Sequence, residues 1–277
     1  MFLQHFSDME HLQPVIKWSG SKRSQAKEIC GLFPDQYGTY FEPFLGGGSI
    51  LGFEKPQKAV CGDVCEPLIS LWNVIKAAPK DVAKRYKQNW SKLQADGPDH
   101  YYVVRDSFNK SYSPHDLLFL SRTCVNGLIR FNKDGEFNNS FHLSRKGIQP
   151  DRLEKILMAW SRIISAHEFV ASDYRETTSG AKKGDLVYLD PPYFHTKGRY
   201  YGGIHFDDFV EYLIELNKRG VYFALSFDGT RGEKEYSVEI PSSVFKRKVM
   251  LHSGNSTFNK VQRVGVQPVF ESLYLNY

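Results

Sequence analysis

The stretch Leu186-Val187-Tyr188-Leu189-Asp190-Pro191-Pro192-Tyr193 decides how this chain is read. Four apolar residues run into two adjacent prolines, and neither proline has an N–H to give a sheet ladder. A strand over 186–189 therefore stops at Asp190. That gathers a carboxylate, a stiff turn with free carbonyls and an aromatic ring at one strand end. In open α/β sheets this edge is where ligands bind. An acceptor carboxylate, an acceptor carbonyl and a flat stacking face suit a planar ring carrying an exocyclic amine. The plainer alternative is a strand that ends in a proline turn, with Asp190 capping a neighbour.

Working outward, the 277 residues suffice for one large α/β domain with an insertion, or for two modest domains. The apolar fraction of 41% supports a full core and carries no signature of disorder. No apolar run is long enough to span a bilayer. Met1 to Gln13 carries acids and histidines where a signal peptide needs a basic start and an apolar middle, so a soluble cytoplasmic protein is expected. Cys30, Cys61, Cys65 and Cys124 are too few and too scattered for a disulfide framework. Cys61 and Cys65 lack a second close Cys/His pair to complete a tetrahedral site, so no metal is expected.

Charge is distributed unevenly. The net charge is +5, from 36 basic and 31 acidic residues. Between Lys80 and Trp160 stand fourteen Lys/Arg against nine Asp/Glu, leaving twenty-two of each elsewhere. A neutral body with a basic middle is the pattern of a nucleic-acid-binding insertion.

Upstream, Pro14-Val-Ile-Lys17-Trp18-Ser-Gly20-Ser-Lys22-Arg23 precedes a helix expected from Ser24. Its Gly/Ser turn, two lysines and Trp18 can serve an anion and a stacking face, or can be an N-terminal loop around a core Trp. Tyr40-Phe41-Glu42-Pro43-Phe44-Leu45-Gly46-Gly47-Gly48-Ser49 reads as a strand opening onto glycines that let backbone approach a ligand. It is not a dinucleotide fingerprint, because Leu51 occupies the place of the third glycine. The next strand, Lys58 to Gly62, ends at Asp63, seventeen positions beyond Gly46. In nucleoside-binding α/β folds a carboxylate there bonds ribose hydroxyls. The order strand, glycine turn, helix, strand, acid thus predicts a nucleoside cofactor without a pyrophosphate cradle, and S-adenosyl-L-methionine fits.

Helices are expected over Pro67–Ala77, Asp81–Leu93, Asp116–Leu120, Asp151–Ser165 and Phe206–Lys218, with Tyr101, Tyr102 and Phe108 in a core between the second and third. Asn126 to Asn138 carries Asp134-Gly135 between alternating runs, which predicts a β-hairpin. With Arg130, Lys133, Arg145 and Lys146 it can lie in a DNA groove, the alternative being a solvated surface hairpin. Strands are expected at Glu168–Tyr174, where Asp173 is a second strand-end acid, and at Val221–Ser226, Phe245–Leu251 and Phe270–Asn276. Lys197 to Gly203 reads as a basic-aromatic loop able to close over a base.

Taken in order, these motifs resemble the Dam-like (α-group) DNA N6-adenine methyltransferases over nearly the whole chain. Lys17-Trp18-Ser-Gly-Ser-Lys22 is similar to that family's K-W-x-G-x-K, and Phe41 to Gly48 to its F-E-P-F-x-G-G-G. Asp63 matches its ribose-binding acid, Asn126 to Arg130 its N-G-L-x-R, and Asp190 to Tyr193 its catalytic motif. The resemblance implies a Rossmann-like mixed sheet, with residues 1–78 and 160–277 binding the cofactor. Residues 79–159 would be an inserted, mostly helical target-recognition domain carrying the hairpin. It implies catalysis by Asp190, Pro191, Pro192 and Tyr193. Cofactor contacts would come from Trp18, Lys22, Glu42, Phe44, Gly46, Gly48, Asp63, Asp173 and Asp190. DNA contacts would come from Lys17, Asn126, Arg130, Lys133, Arg145 and Lys146.

The implied activity is methyl transfer to adenine N6 in double-stranded DNA, by base flipping and direct in-line transfer, with S-adenosylhomocysteine as product. The expected setting is bacterial or phage restriction–modification, with a cognate endonuclease acting independently and the chain a monomer or weak dimer. Two departures fall in the recognition region. Asn139-Ser-Phe-His142 stands where GATC-specific members have V-P-F-G, and Val125 replaces an aromatic. GATC is therefore not carried over. The alternatives are an N4-cytosine or RNA-directed methyltransferase, or an inactive DNA-binding relative.

Overall fold

A computed structural model describes residues 12–144, 146–192, 204–231, 234–235, 239–255 and 268–277. Its sheet is built from β1 (Tyr40–Glu42), β2 (Ala59–Gly62), β3 (Glu168–Val170), β4 (Leu186–Leu189), β5 (Tyr222–Arg231), β7 (Arg247–Asn255) and β8 (Pro268–Leu275). The spatial order is β3-β2-β1-β4-β5-β8-β7, and the short β6 (Lys234–Glu235) pairs with β5. The five strands from β3 to β5 are parallel, whereas β8 runs antiparallel to both β5 and β7. This is a mixed α/β sheet of the expected class. Chain order reverses between β1 and β4, which opens a crevice beyond their C-terminal ends.

Strand β4 is buried on both faces, as an apolar strand at the centre of a parallel sheet must be. Its side chains alternate between two cores. Leu186 and Tyr188 join Tyr40 and Ala224 on one face, against the helices preceding β3. Val187 and Leu189 join Phe41, Phe223 and Leu225 on the other, against α9 (Phe206–Lys218).

The first face carries α3 (Glu66–Ala77), α4 (Pro79–Asp96), α5 (Pro98–Ser111), α6 (Pro114–Thr123) and α7 (Pro150–Ile163). Each of α4 to α7 opens with proline at its first position, where the missing N–H costs nothing and φ is already helical. The expected boundary at 78/79 falls at Ala78, between α3 and α4. Even so, the buried cluster runs without a break from the sheet through Trp72 and Trp160 to Tyr86, Tyr101 and Phe108. The N-terminal segment is clamped to this layer. Arg122 on α6 donates to the carbonyls of Val15 and Pro14, and Trp160 Nε1 donates to the Gln13 carbonyl at 2.8 Å.

Several expectations change. Helix α5 occupies a stretch read only as core aromatics, and Tyr102 sits exposed on it while Tyr101 and Phe108 are buried. Gly97 (φ 70) followed by Pro98 is the stop-and-start signal that marks it. The helix expected from Ser24 is one turn, α1 (Ala26–Cys30). Strand β5 runs five residues past Ser226, with a register shift between Phe227 and Gly229. The β-hairpin expected around Asp134-Gly135 is present but short, its arms paired antiparallel at Phe131 and Phe137, with a second bridge between Cys124 and Phe141. Its turn is held by the Asn132 side chain, which accepts from the Asp134 and Glu136 N–H groups at 3.0 and 2.8 Å. Asn139 similarly donates to the Val125 and Leu128 carbonyls. These side-chain bonds brace backbone bonds that cross the turn, Asn132 N to the Glu136 carbonyl at 2.8 Å and Asn138 N to the Arg130 carbonyl at 3.1 Å.

Candidate active site

One cavity of about 340 Å³ opens at the crevice beyond β1 and β4. Three walls come from the segments singled out in the sequence. The first is the N-terminal turn with Trp18 and Lys22, the second the glycine loop with Glu42, Phe44 and Gly46, and the third Asp190, Pro191 and Pro192. Asp63 at the end of β2 and Asp173 also line it. Tyr193, Arg145 and the 197–203 loop lie outside the described residues.

The glycine loop is built differently from expectation. Gly46 and Gly47 admit the Trp18 side chain: a Cβ on Gly46 would stand 2.7 Å from Trp18 Cδ1, and one on Gly47 3.1 Å from Trp18 Cβ. Gly48 lies behind the cavity wall, where a Cβ would stand 3.1 Å from Trp72 and 3.3 Å from Trp160. Its φ of 65° starts α2 (Ser49–Glu54) from a left-handed position. Close packing of indole on backbone thus needs these glycines. The loop is tied to β2 by Asp63, whose two carboxylate oxygens accept from Gly46 N at 3.1 Å and Cys65 N at 2.9 Å. Burial pushes the Asp63 carboxyl up to about 6, with those two N–H bonds pulling the other way.

Asp190 is held by Lys22, whose ammonium donates to Oδ1 at 2.7 Å and to the Gly20 carbonyl at 3.2 Å. Burial raises the Asp190 carboxyl and the Lys22 charge opposes that rise. Glu42 is buried at the end of β1 and accepts from the Tyr40 hydroxyl at 2.8 Å. Desolvation pushes its carboxyl up to about 8. Asp173 caps α8 (Tyr174–Thr177) by accepting from the Arg175 and Glu176 N–H groups, so β3 ends three residues before it. Tyr174 stacks on Phe44 with centroids 5.7 Å apart, and both rings line the cavity.

The lining is strongly acidic. Glu42, Asp63, Asp173, Asp190 and Asp208 face it, against Lys22 as the lysine or arginine among its described residues. A polyphosphate would be repelled there, whereas a nucleoside bearing positive charge is favoured.

At the cavity mouth Ile129 and Phe131 turn inward. Arg130 between them is exposed and donates to Asn138 Oδ1 at 2.9 Å, and Asn126, Lys133 and Lys146 are exposed nearby in sequence. Lys17 is partly buried instead. Its aliphatic stem packs against Gly127, where a Cβ would stand 2.3 Å from Lys17 Cδ. Inward Ile129 and Phe131, flanking outward Arg130, form an alternation that could have flagged both. Tyr174, Asp208 and Glu271 were missed as well. Glu271 stands inside β8 with its side chain 16% exposed and lies 4.0 Å from Lys22 Nζ. An acid within the mostly apolar run Val269-Phe-Glu-Ser-Leu-Tyr-Leu275 was the available signal.

Strand order, switch point and this acidic, nucleoside-sized cavity define a Rossmann-like methyltransferase fold. The chain belongs to the D12 class N6 adenine-specific DNA methyltransferase family, whose sequence model matches residues 18–253. It is 30% identical over 185 residues to the DNA adenine methylase of Haemophilus influenzae, spanning 65% of this chain and 64% of that relative's length. The Serratia marcescens DNA adenine methylase is 31% identical over 67% of this chain and 68% of its own. The Type II methyltransferase M1.LlaDCHI of Lactococcus lactis subsp. cremoris is 26% identical over 78% of this chain and 81% of its own. Among the described residues no helix is long and apolar enough to cross a membrane.

Proposed function

We propose that this chain methylates adenine N6 at a specific site in double-stranded DNA, using S-adenosyl-L-methionine. The observation that carries the reading is the acid-lined cavity at the switch point, with Asp190 and Pro191 on its wall. The donor set fits this cofactor, which pairs a nucleoside with a sulfonium and an ammonium and has no phosphate. Asp63 would take the ribose hydroxyls, the stacked Phe44–Tyr174 pair would line one side of the adenine, and Asp173 would stand at its rim. Glu42 and Trp18 would hold the amino-acid end. When bound, the cofactor supplies an electrophilic methyl open to direct in-line attack and leaves as S-adenosylhomocysteine.

The chain's own residues address the weak nucleophile. The lone pair of adenine N6 is delocalised into the ring. With the base flipped from the duplex, the Asp190 carboxylate and the Pro191 carbonyl accept the two N6 hydrogens and Tyr193 supplies the stacking face. Those two bonds draw the nitrogen toward tetrahedral geometry, and Asp190 stabilises the positive charge that develops there until one N6 proton leaves to solvent. Ile129 and Phe131 shield the mouth from water. Arg130, Lys133 and Lys146 meet the duplex outside it, where phosphate contacts position the protein. Relatives named as Type II methyltransferases favour a restriction–modification setting, and the Asn139 to His142 departure favours a site other than GATC.

Methylation-sensitive long-read sequencing of DNA from cells expressing the chain, with mass spectrometry of the nucleosides, tests this directly. N6-methyladenine at one motif is expected. N4-methylcytosine, or modified RNA alone, would overturn the reading. Asp190→Ala should abolish transfer while duplex affinity stays within about threefold, and a variant that keeps substantial activity refutes the role of Asp190.

A further inference from the structure

We infer that Glu271 is a positioning residue for this reaction, acting on Asp190 through Lys22. The inference rests on the methyl-transfer reading above. Lys22 reaches from the N-terminal turn to the end of β4 and the middle of β8. Its ammonium lies 2.7 Å from Asp190 Oδ1 beyond β4 and 4.0 Å from Glu271 Oε2 on β8. Its side chain is 8% exposed, and those of Asp190 and Glu271 are 23% and 16% exposed. Three charges thus share a site largely withdrawn from water. Glu271 sits within β8, which is paired on both sides, opposite Gly229 of β5 and Leu251 of β7. A carboxylate so placed costs folding free energy unless a charge answers it.

The arrangement has a chemical use. As the substrate amine attacks, positive charge grows beside Asp190, and Asp190 can stabilise it only while the local charge stays negative. Lys22, bonded to Asp190, opposes that stabilisation. Glu271 gives Lys22 a second carboxylate toward which it can lean when Asp190 accepts the substrate's N–H. The Asp190 carboxyl responds to both neighbours, lowered by Lys22 and raised by Glu271. Glu271 lies beyond residues 18–253, the range the family model matches.

The test is single-turnover methylation of duplex DNA at saturating cofactor. It compares wild type, Glu271→Asp and Glu271→Gln, each also in a Lys22→Gln background, with cofactor affinity measured by calorimetry. If charge is what matters, Glu271→Gln slows transfer about 10- to 100-fold. Glu271→Asp keeps most of the rate although it fits the space less well than Gln. Cofactor affinity stays within about threefold for both, and Glu271→Gln adds less than about twofold loss once Lys22 is gone. A Gln variant as fast as or faster than Asp, or an equal loss in both backgrounds, overturns the inference. If Gln fails to fold, the Asp variant decides: a loss beyond tenfold with unchanged melting counts against a charge role. Should wild type itself transfer no methyl to DNA, the proposed function fails instead, and the two failures are distinct.

Discussion

Glu42→Gln should stabilise the protein at neutral pH while weakening its ligand. The Glu42 carboxyl is 2% exposed at the end of β1, and desolvation pushes it up to about 8. An ordinary Glu titrates near ~4.3 in an unfolded chain. The folded state therefore binds this proton more tightly, so the stability it brings is full below about pH 4 and is lost as pH rises from about 4 to about 8. Each pH unit across that window costs about 1.4 kcal/mol, which makes the loss about 3 to 4 kcal/mol at pH 7. Glutamine cannot ionise, yet it keeps an oxygen for the Tyr40 hydroxyl, which donates to Glu42 Oε2 at 2.8 Å. Urea unfolding of both proteins from pH 4.5 to 8 gives the comparison. The variant should match wild type at the acid end and exceed it by about 3 kcal/mol at pH 7. A cationic ligand reverses the balance by favouring the carboxylate, so cofactor binding at pH 7 should expel a proton. Calorimetry in buffers of different ionisation enthalpy reads that proton, and Glu42→Gln should bind more weakly without releasing it. A stability difference that stays flat across pH, or a wild type more stable than the variant at pH 8, refutes the reasoning.

Two further outcomes follow from the site's frame and its rim. Gly48→Ala places a Cβ 3.1 Å from Trp72 in a left-handed residue and should cost about 2 to 4 kcal/mol in urea unfolding. Because Gly48 lies off the cavity, the folded variant should bind cofactor as wild type does. Lys133→Ala and Lys146→Ala should each weaken duplex binding about equally across sequences and lower the salt slope by about 0.9 for every phosphate left without its lysine. Unchanged slopes would move the DNA away from that rim.

Local sequence spoke most clearly where one residue's chemistry forces the backbone. Pro191-Pro192 ends β4 after Leu189, and the apolar period of α9 and α7 places those helices within a residue or two. Gly97-Pro98 carried the break between α4 and α5 just as plainly, although the aromatic run after it reads first as core. The turn at Asp134-Gly135 was legible, but its shortness and the Asn132 bonds that brace it were not, since they depend on what packs beside Phe131 and Phe137.

By itself, the sequence determined the acids at strand ends, the glycine turn, the basic middle and the order in which they come. Those are local choices, fixed by φ restriction, missing donors and side-chain period. Only the tertiary structure decided which of them meet. It joined Lys22 to Asp190 across 168 residues, spent Gly46 and Gly48 on indole rings and turned Lys17 inward beneath Gly127. It also brought Glu271 from β8 to the same lysine. Such meetings depend on strand order and on which large side chain fills a given gap. Neither leaves a mark at fixed spacing along the chain.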